Sequence, residues 1–82
     1  VHLVGAKGTG MAALAELLAS RGARLSGSDV PERFYTDAIL AAIGLKPAEG
    51  FDAANLPPDT ALVVHSAAYA RDKNPELLEA AR

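Results

Sequence analysis

The sequence predicts an α/β fold, a three-layer arrangement in which one parallel sheet is flanked by helices. Two observations support this prediction. Strand-like and helix-like segments alternate along the chain, and a glycine-rich loop, VGAKGTGM (Val4–Met11), joins the first strand to the first helix. Such alternation is typical of parallel strands joined by right-handed crossovers. The chain has 82 residues, which is short for a complete doubly wound sheet, so we expect a truncated single domain, residues 1–82, of a longer protein.

The first half of the chain contains two strands and two helices. Val1–Val4 is short, rich in β-branched residues and followed by glycine, which predicts a buried strand. Residues 11–22 have helical periodicity, residues 23–29 predict a second strand, and residues 33–44 predict a second helix; both helices end at a glycine. The side chains expected to share one face of the first helix are Met11, Leu14, Ala15 and Leu18, with Leu17 beside them. In the second helix, Ile39, Leu40 and Ile43 are expected to face inward.

The second half contains two further strands and a third helix. Residues 45–50 predict a strand at the sheet edge because they include a proline. Residues 52–56 predict one helical turn, and residues 61–66 predict the clearest strand after the first. Residues 74–82 predict a helix that runs to the end of the chain, since an N-cap asparagine and a first-turn proline begin it.

The composition excludes several classes of protein. The formal net charge is -2 and no basic cluster is present, which argues against a nucleic-acid surface. There are no cysteines, so disulfides and thiolate metal sites are excluded. No apolar run approaches the about 20 residues that a membrane-spanning helix needs. We therefore expect a cytoplasmic protein with no nucleic-acid or membrane partner; the oligomeric state stays open.

The glycine loop predicts an anion site. The carboxyl ends of parallel strands meet at one edge of the sheet, where ligands bind. A helix that begins there presents free N–H groups and about half a positive charge. Glycine lets a phosphate approach the backbone because it has no Cβ. The alternative is that the glycines only permit a tight turn. Asp29, at the end of the second strand, is either a ligand contact or a turn residue.

The spacing of the loop does not match two known phosphate motifs. A dinucleotide fingerprint needs glycine at its first, third and sixth positions, which are Gly5, Lys7 and Gly10, with Gly8 at the fourth. An ATP-hydrolysing loop needs Lys followed by Ser or Thr after the last glycine, where this chain has Met11. Lys7 either pairs with a phosphate or points to solvent. The alternatives are the NAD(P)-binding half of an oxidoreductase and an interaction module whose cleft is blocked above the loop.

Other reactive side chains form no convincing site. His65 and Ser66 are neighbours in a strand, so their side chains point to opposite faces and do not form a catalytic pair. Tyr69 and Lys73 have the Y-x-x-x-K spacing of short-chain dehydrogenases, but they lie in a predicted solvated loop, so we interpret the match as a coincidence. His2, inside the first strand, is expected to be structural, and the two histidines lack a metal-ligand pattern.

Four segments in order, HLVGAKGTGMAALAELL, SGSD, GFDAANL and HSAAYARDKNPELLEAAR, resemble the N-terminal domain of Mur ligases, especially the members that add L-alanine or a peptide to UDP-N-acetylmuramate. The resemblance covers nearly the whole chain. It implies a Rossmann-like domain that binds UDP-N-acetylmuramic acid or a UDP-muramyl substrate. It also implies a parent enzyme that joins an amino acid or peptide to the muramyl carboxylate through an acyl phosphate.

The resemblance also implies which residues bind the nucleotide sugar. The glycine loop holds the diphosphate, the end of the second strand lies by the uridine, and the loop after the fourth strand faces the nucleotide. The expected contacts are Gly5, Lys7, Gly8, Thr9, Gly10, Met11, Ser28, Asp29, Ser66, Ala67 and Ala68. This domain then has no cofactor and no catalytic residue, because ATP and Mg²⁺ act in a central domain of the parent enzyme, which this chain lacks along with the C-terminal domain.

Three positions depart from the family pattern. Lys7 stands where many members have Gly, and His65 stands where Ser is common. Phe51 stands where the alanine-adding members are expected to have His. This last departure leaves the ligase subtype, and so the amino acid or peptide that is added, open.

Overall fold

The structure, a computed structural model, describes residues 1–69 and 73–82 and has the predicted alternation of strands and helices. The elements in chain order are β1 (His2–Val4), α1 (Thr9–Ser20), β2 (Ser26–Asp29), α2 (Thr36–Ala42), β3 (Ala48–Glu49), a 3-10 turn (Ala53–Asn55), β4 (Val63–His65) and α3 (Pro75–Ala80). The sheet has the order β3-β2-β1-β4, and each neighbouring pair is parallel. The α/β prediction with a parallel sheet is therefore confirmed.

The helix ends follow from local sequence. Gly22 and Gly44 have φ of +80° and +77°, the left-handed conformation that ends a helix and that glycine adopts without strain. α1 begins at Thr9, two residues before the predicted start, because Gly8 is extended and acts as the N-cap. The prediction that α3 continues to the end of the chain was wrong, since Ala81 is its C-cap.

The core is small and aliphatic, as the composition predicts. α1 packs against α2, and its buried residues are Ala12 and Ala15. Leu17, expected beside the apolar face of this helix, is 53% exposed. The buried core residues are Leu3, Ala6, Ala12, Ala15, Leu40 and Leu45. Because α1 follows β1 after only residues 5–8, its N-terminus lies at the carboxyl edge of the sheet.

A buried carboxylate joins α3 to the sheet. Glu76 is fully buried; its Oε1 lies 2.5 Å from His2 Nε2 and accepts a 2.6 Å hydrogen bond from the Ser28 hydroxyl. Its Oε2 accepts from the Asn55 amide at 2.9 Å and from the Asp52 N–H at 3.2 Å. Burial alone raises the pKa of this carboxyl, but the hydrogen bonds from the four partners hold the pKa below its usual value. His2 is structural, as predicted.

Candidate functional site

The end of β2 holds the first part of the glycine loop. The N–H groups of Gly5 and Ala6 both donate to the carbonyl of Ser28, at 2.8 and 3.1 Å. The Lys7 N–H donates to Asp29 Oδ2 at 2.8 Å. Since buried backbone donors need partners, these three bonds fix where the loop leaves the sheet. Ser28 and Asp29 therefore determine the shape of the loop.

The next part of the loop presents unpaired donors. The Gly8 N–H donates to the Gly5 carbonyl at 3.1 Å and so closes a turn. Within residues 1–69 and 73–82, the N–H groups of Thr9, Gly10 and Met11 have no hydrogen-bond acceptor. No side chain caps α1, and its first turn contains no acidic residue. This tip also carries the positive end of the helix dipole, which favours negative charge beside it.

The space over this tip is open. An ideal Cβ on Gly10 meets no atom within 4 Å, and one on Gly8 makes only ordinary contacts, the nearest at 3.5 Å. Neither residue has a positive φ, so neither backbone conformation nor packing in the described part of the chain requires glycine here. No described residue fills the space beside these two glycines, as a ligand-free interaction module with a blocked cleft would require.

Gly5 is a different case, because packing requires it to be glycine. Its φ is +85°, and an ideal Cβ lies 2.7 Å from Cε2 of the Tyr69 ring and 3.0 Å from Ser66 Cβ. The Tyr69 hydroxyl donates to Asp29 Oδ1 at 2.9 Å, and its ring packs on Phe51 with centroids 4.7 Å apart. Tyr69 thus reaches from the loop after β4, across the end of β1, to the end of β2.

The surroundings of Tyr69 shift its pKa in the direction opposite to the one that dehydrogenase chemistry needs. Burial, the hydrogen bond to Asp29 and the negative charges of Asp29 and Glu32 raise the pKa of Tyr69 to about 12. A Y-x-x-x-K pair requires the opposite shift, because the lysine lowers the tyrosine pKa. Lys73 is exposed, and residues 70–72, which include part of the predicted solvated loop, lie outside the described residues.

The structure brings most of the predicted site residues to one edge. Gly8, Thr9 and Gly10 are exposed at the tip of α1, with Met11 half-buried beside them. Ser66 follows β4, and its Oγ accepts from the Ala68 N–H at 3.0 Å, in a turn that lies beside Gly5. Ala67 and Ala68 are exposed there. These positions therefore lie at the ends of two neighbouring strands, β1 and β4.

Ser28 and Asp29 reach the same edge but are buried. Ser28 is fully buried and its hydroxyl donates to Glu76, so its side chain offers a ligand no surface in this structure. Asp29 is only 4% exposed. Its carboxylate accepts from the N–H groups of Lys7 and Val30 and from the Tyr69 hydroxyl. A carboxylate has about four acceptor positions, so one remains.

The Lys7 side chain does not point to solvent, which was one of its two predicted positions. It is only 9% exposed and folds back toward the start of α2, where Nζ donates to the Glu32 carbonyl at 2.6 Å and lies 3.5 Å from Asp37 Oδ1. It also lies 5.7 Å from the centroid of the Phe34 ring. Lys7 also lines a cavity of about 640 Å³ beside α2 and β3.

The contacts of three side chains at this edge were not predicted from the sequence. Glu76 supports Ser28, Tyr69 covers Gly5, and the hydroxyl of Tyr35 lies 2.5 Å from Thr9 Oγ1. Each acts across at least 26 positions of sequence, so local patterns contain no signal for these contacts. Of the three, only Tyr69 was expected near the predicted cleft, because it lies in the loop after the fourth strand.

Other chemistry finds no support among the described residues. The His65 ring bonds the Ser66 carbonyl and not its hydroxyl, so the two side chains form no catalytic pair, as predicted. No group of three or more potential metal ligands occurs within residues 1–69 and 73–82. None of the described helices is long and apolar enough to cross a membrane.

Comparisons with known proteins agree on one family. A model of the Mur ligase family, catalytic domain, matches residues 1–82. A UDP-N-acetylmuramate--L-alanine ligase from Treponema pallidum (strain Nichols) is 55% identical over 82 residues, which are 100% of this chain and 17% of that protein. A protein of the same name from Desulfitobacterium hafniense is 53% identical over 70 residues, 84% of this chain and 15% of that protein.

A solved structure gives the same result. The UDP-N-acetylmuramate:L-alanyl-gamma-D-glutamyl-meso-diaminopimelate ligase (MPL) from Neisseria meningitides is similar with a TM-score of 0.79 and 30% identity, over 96% of this chain and 24% of that one. This chain thus spans less than a quarter of the length of each of these three proteins. It belongs to the Mur ligase family.

Proposed function

We propose that this chain is the N-terminal domain of an ATP-dependent ligase of peptidoglycan-precursor synthesis, and that it binds the UDP part of UDP-N-acetylmuramate or a UDP-muramyl substrate. The names of its relatives support this substrate class. The single observation that carries the proposal is the open tip of α1, where three N–H groups have no acceptor among the described residues.

The proposed binding mechanism is geometric and electrostatic. The diphosphate lies over Gly8 and Gly10, where no Cβ keeps it from the backbone, and accepts from the N–H groups of Thr9, Gly10 and Met11. Each hydrogen bond to a charged oxygen contributes about 1.5–3 kcal/mol. The turn Ser66–Ala68 contacts the same nucleotide from the end of β4.

The remaining predicted residues have supporting roles in this proposal. Gly5, Lys7 and Ser28 fix the shape of the loop through backbone bonds. Asp29 holds the Lys7 N–H and retains one acceptor position, with which we propose that it orients the uridine. The nucleoside then lies beside the end of β2, where the Tyr69 hydroxyl holds the Asp29 carboxylate, so uridine recognition depends on the bond between Tyr69 and Asp29.

The glycine loop does not have the pattern of an ATP loop, since it lacks the Lys and the Ser or Thr that such a loop needs. We therefore propose that central and C-terminal domains of a longer, cytoplasmic protein supply ATP, Mg²⁺ and the catalytic residues. The oxidoreductase alternative has no support, because the family and the relatives reported above are ligases.

Calorimetry tests this proposal. The chain is expected to bind UDP-N-acetylmuramate and UDP saturably and not to bind NADH. Gly10→Asp is expected to abolish binding, because it places a carboxylate against the diphosphate while an ideal Cβ at this position has free space.

Ser20→Asp is the matched control. It adds the same charge at the other end of α1, about 15 Å away at 1.5 Å per residue, beyond the roughly 8 Å screening length at physiological salt. If the chain binds NADH and does not bind UDP, the assignment is wrong. If Gly10→Asp binds UDP with unchanged affinity, the glycine loop is not part of the binding site.

A further inference from the structure

A tyrosine from another element reaches the open tip. Tyr35 lies in the connection between β2 and α2 and is 70% exposed, although it is a large aromatic residue. Its hydroxyl lies 2.5 Å from the hydroxyl of Thr9, the first residue of α1. Tyr35 therefore places a polar group beside the N–H groups that have no acceptor.

The two hydroxyls leave one hydrogen unused. Each hydroxyl has one hydrogen to donate and two acceptor positions. One hydrogen lies in the bond between Thr9 and Tyr35, and neither hydroxyl has another partner within residues 1–69 and 73–82. When Thr9 donates to Tyr35, the phenol hydrogen is left without an acceptor among the described residues and is available to a ligand. This arrangement adds an O–H donor to three N–H donors at one helix end.

Contacts on the same loop fix the position of Tyr35. The next residue, Thr36, donates its hydroxyl to the Lys7 carbonyl at 2.6 Å. The preceding residue, Phe34, lies beside the Lys7 ammonium. Both contacts tie the start of α2 to the glycine loop, so the Tyr35 hydroxyl is held next to the tip before any ligand arrives. Such preorganisation reduces the entropy lost on binding.

We propose that Tyr35 is a ligand-contacting residue whose hydroxyl accepts from Thr9 and donates to a phosphate oxygen of the bound nucleoside diphosphate. This inference rests on the proposed function, since it needs a diphosphate at the tip of α1. It adds a contact from the β2–α2 connection, to which the predicted site assigned no residue. The site is then enclosed on one side by Tyr35 and on the other by the turn after β4.

The test uses inorganic pyrophosphate, UDP and uridine as three calorimetric probes. Tyr35→Phe is expected to weaken binding of pyrophosphate and UDP about tenfold, as for the loss of one bond to a charged group, and to leave uridine binding unchanged. Thr9→Val is expected to have a similar effect, and the double variant is expected to lose less than the sum of the two. Because Tyr35 is exposed, Tyr35→Phe should keep the fold, which circular dichroism checks.

Ser20→Ala is the matched control, because it removes an exposed hydroxyl from the other end of α1. Unchanged or tighter binding of pyrophosphate by Tyr35→Phe would overturn this inference, and so would additive losses in the double variant. If the unmodified chain binds neither pyrophosphate nor UDP, the proposed function itself fails. The two failures are thus distinguishable.

Discussion

The glycines of the loop differ in whether the fold requires glycine at their position. The positive φ and the Tyr69 ring require it at position 5, whereas neither backbone nor packing in the described residues requires it at Gly10. The sequence predicted the loop as an anion site because three glycines lie between a strand and a helix. It did not separate the glycine that serves the fold from the glycine that leaves room for a ligand, because that distinction depends on Tyr69, far along the chain.

Gly10→Ala is therefore expected to change stability and binding in opposite directions. Alanine loses less backbone entropy than glycine in a helix, so the free energy of unfolding should rise by about 0.5 kcal/mol. The affinity for UDP should fall, because the methyl group enters the space over the tip. Urea denaturation and calorimetry on the same variant measure both effects. Equal affinity in the variant would show that no ligand approaches this residue.

The hydroxyl of Tyr69 is expected to contribute to stability, whereas that of Tyr35 is not. Tyr69→Phe removes a hydrogen bond to the buried Asp29 carboxylate, which should lower the free energy of unfolding by about 1–2 kcal/mol. Tyr35→Phe removes a hydroxyl from an exposed ring and should change the free energy of unfolding by less than about 0.5 kcal/mol. Chemical denaturation of the pair checks this difference; equal losses would contradict the role given to Asp29.

At the scale of elements, the sequence predicted the helices and strands better than the contacts between them. The capped start of α3 is local, since Asn74 accepts from the N–H groups of Glu76 and Leu77. The buried network around Glu76 is not local, because its bond to His2 spans 74 positions. A glutamate in the first turn of a helix normally indicates a favourable dipole interaction on the surface. Its burial depends on three other elements.

Glu76→Gln is expected to destabilise the fold most at neutral pH. The pKa of Glu76 is lowered in the folded state, so its stabilising contribution is present above its unfolded pKa, ordinarily near 4.5, and is lost as the pH falls through the folded value. The loss in Glu76→Gln should be about 2–3 kcal/mol near pH 7 and should shrink in acid. Denaturation curves from acid to neutral pH measure this; a loss independent of pH would contradict it. Glu79→Gln, on the same helix, is the control.

At the scale of the whole molecule, the sheet order brings the glycine loop and the turn after β4 together. β1 lies between β2 and β4, so the loop after β1 has one neighbour on each side at the carboxyl edge. Alternating strands and helices predicted parallel pairing but not this order, because several orders satisfy the same alternation. The order nevertheless explains why residues separated in sequence, such as Gly10 and Ser66, lie at one edge.

The most direct test of the central claim is an amide NMR titration of the chain with UDP. If the diphosphate accepts hydrogen bonds from the tip of α1, the amide resonances of Thr9, Gly10 and Met11 should shift most. They should also become protected from hydrogen exchange as UDP saturates, while amides at the other end of α1, near Ser20, stay unchanged. Saturable binding that leaves these three amides unshifted, with the largest changes elsewhere, would contradict the account.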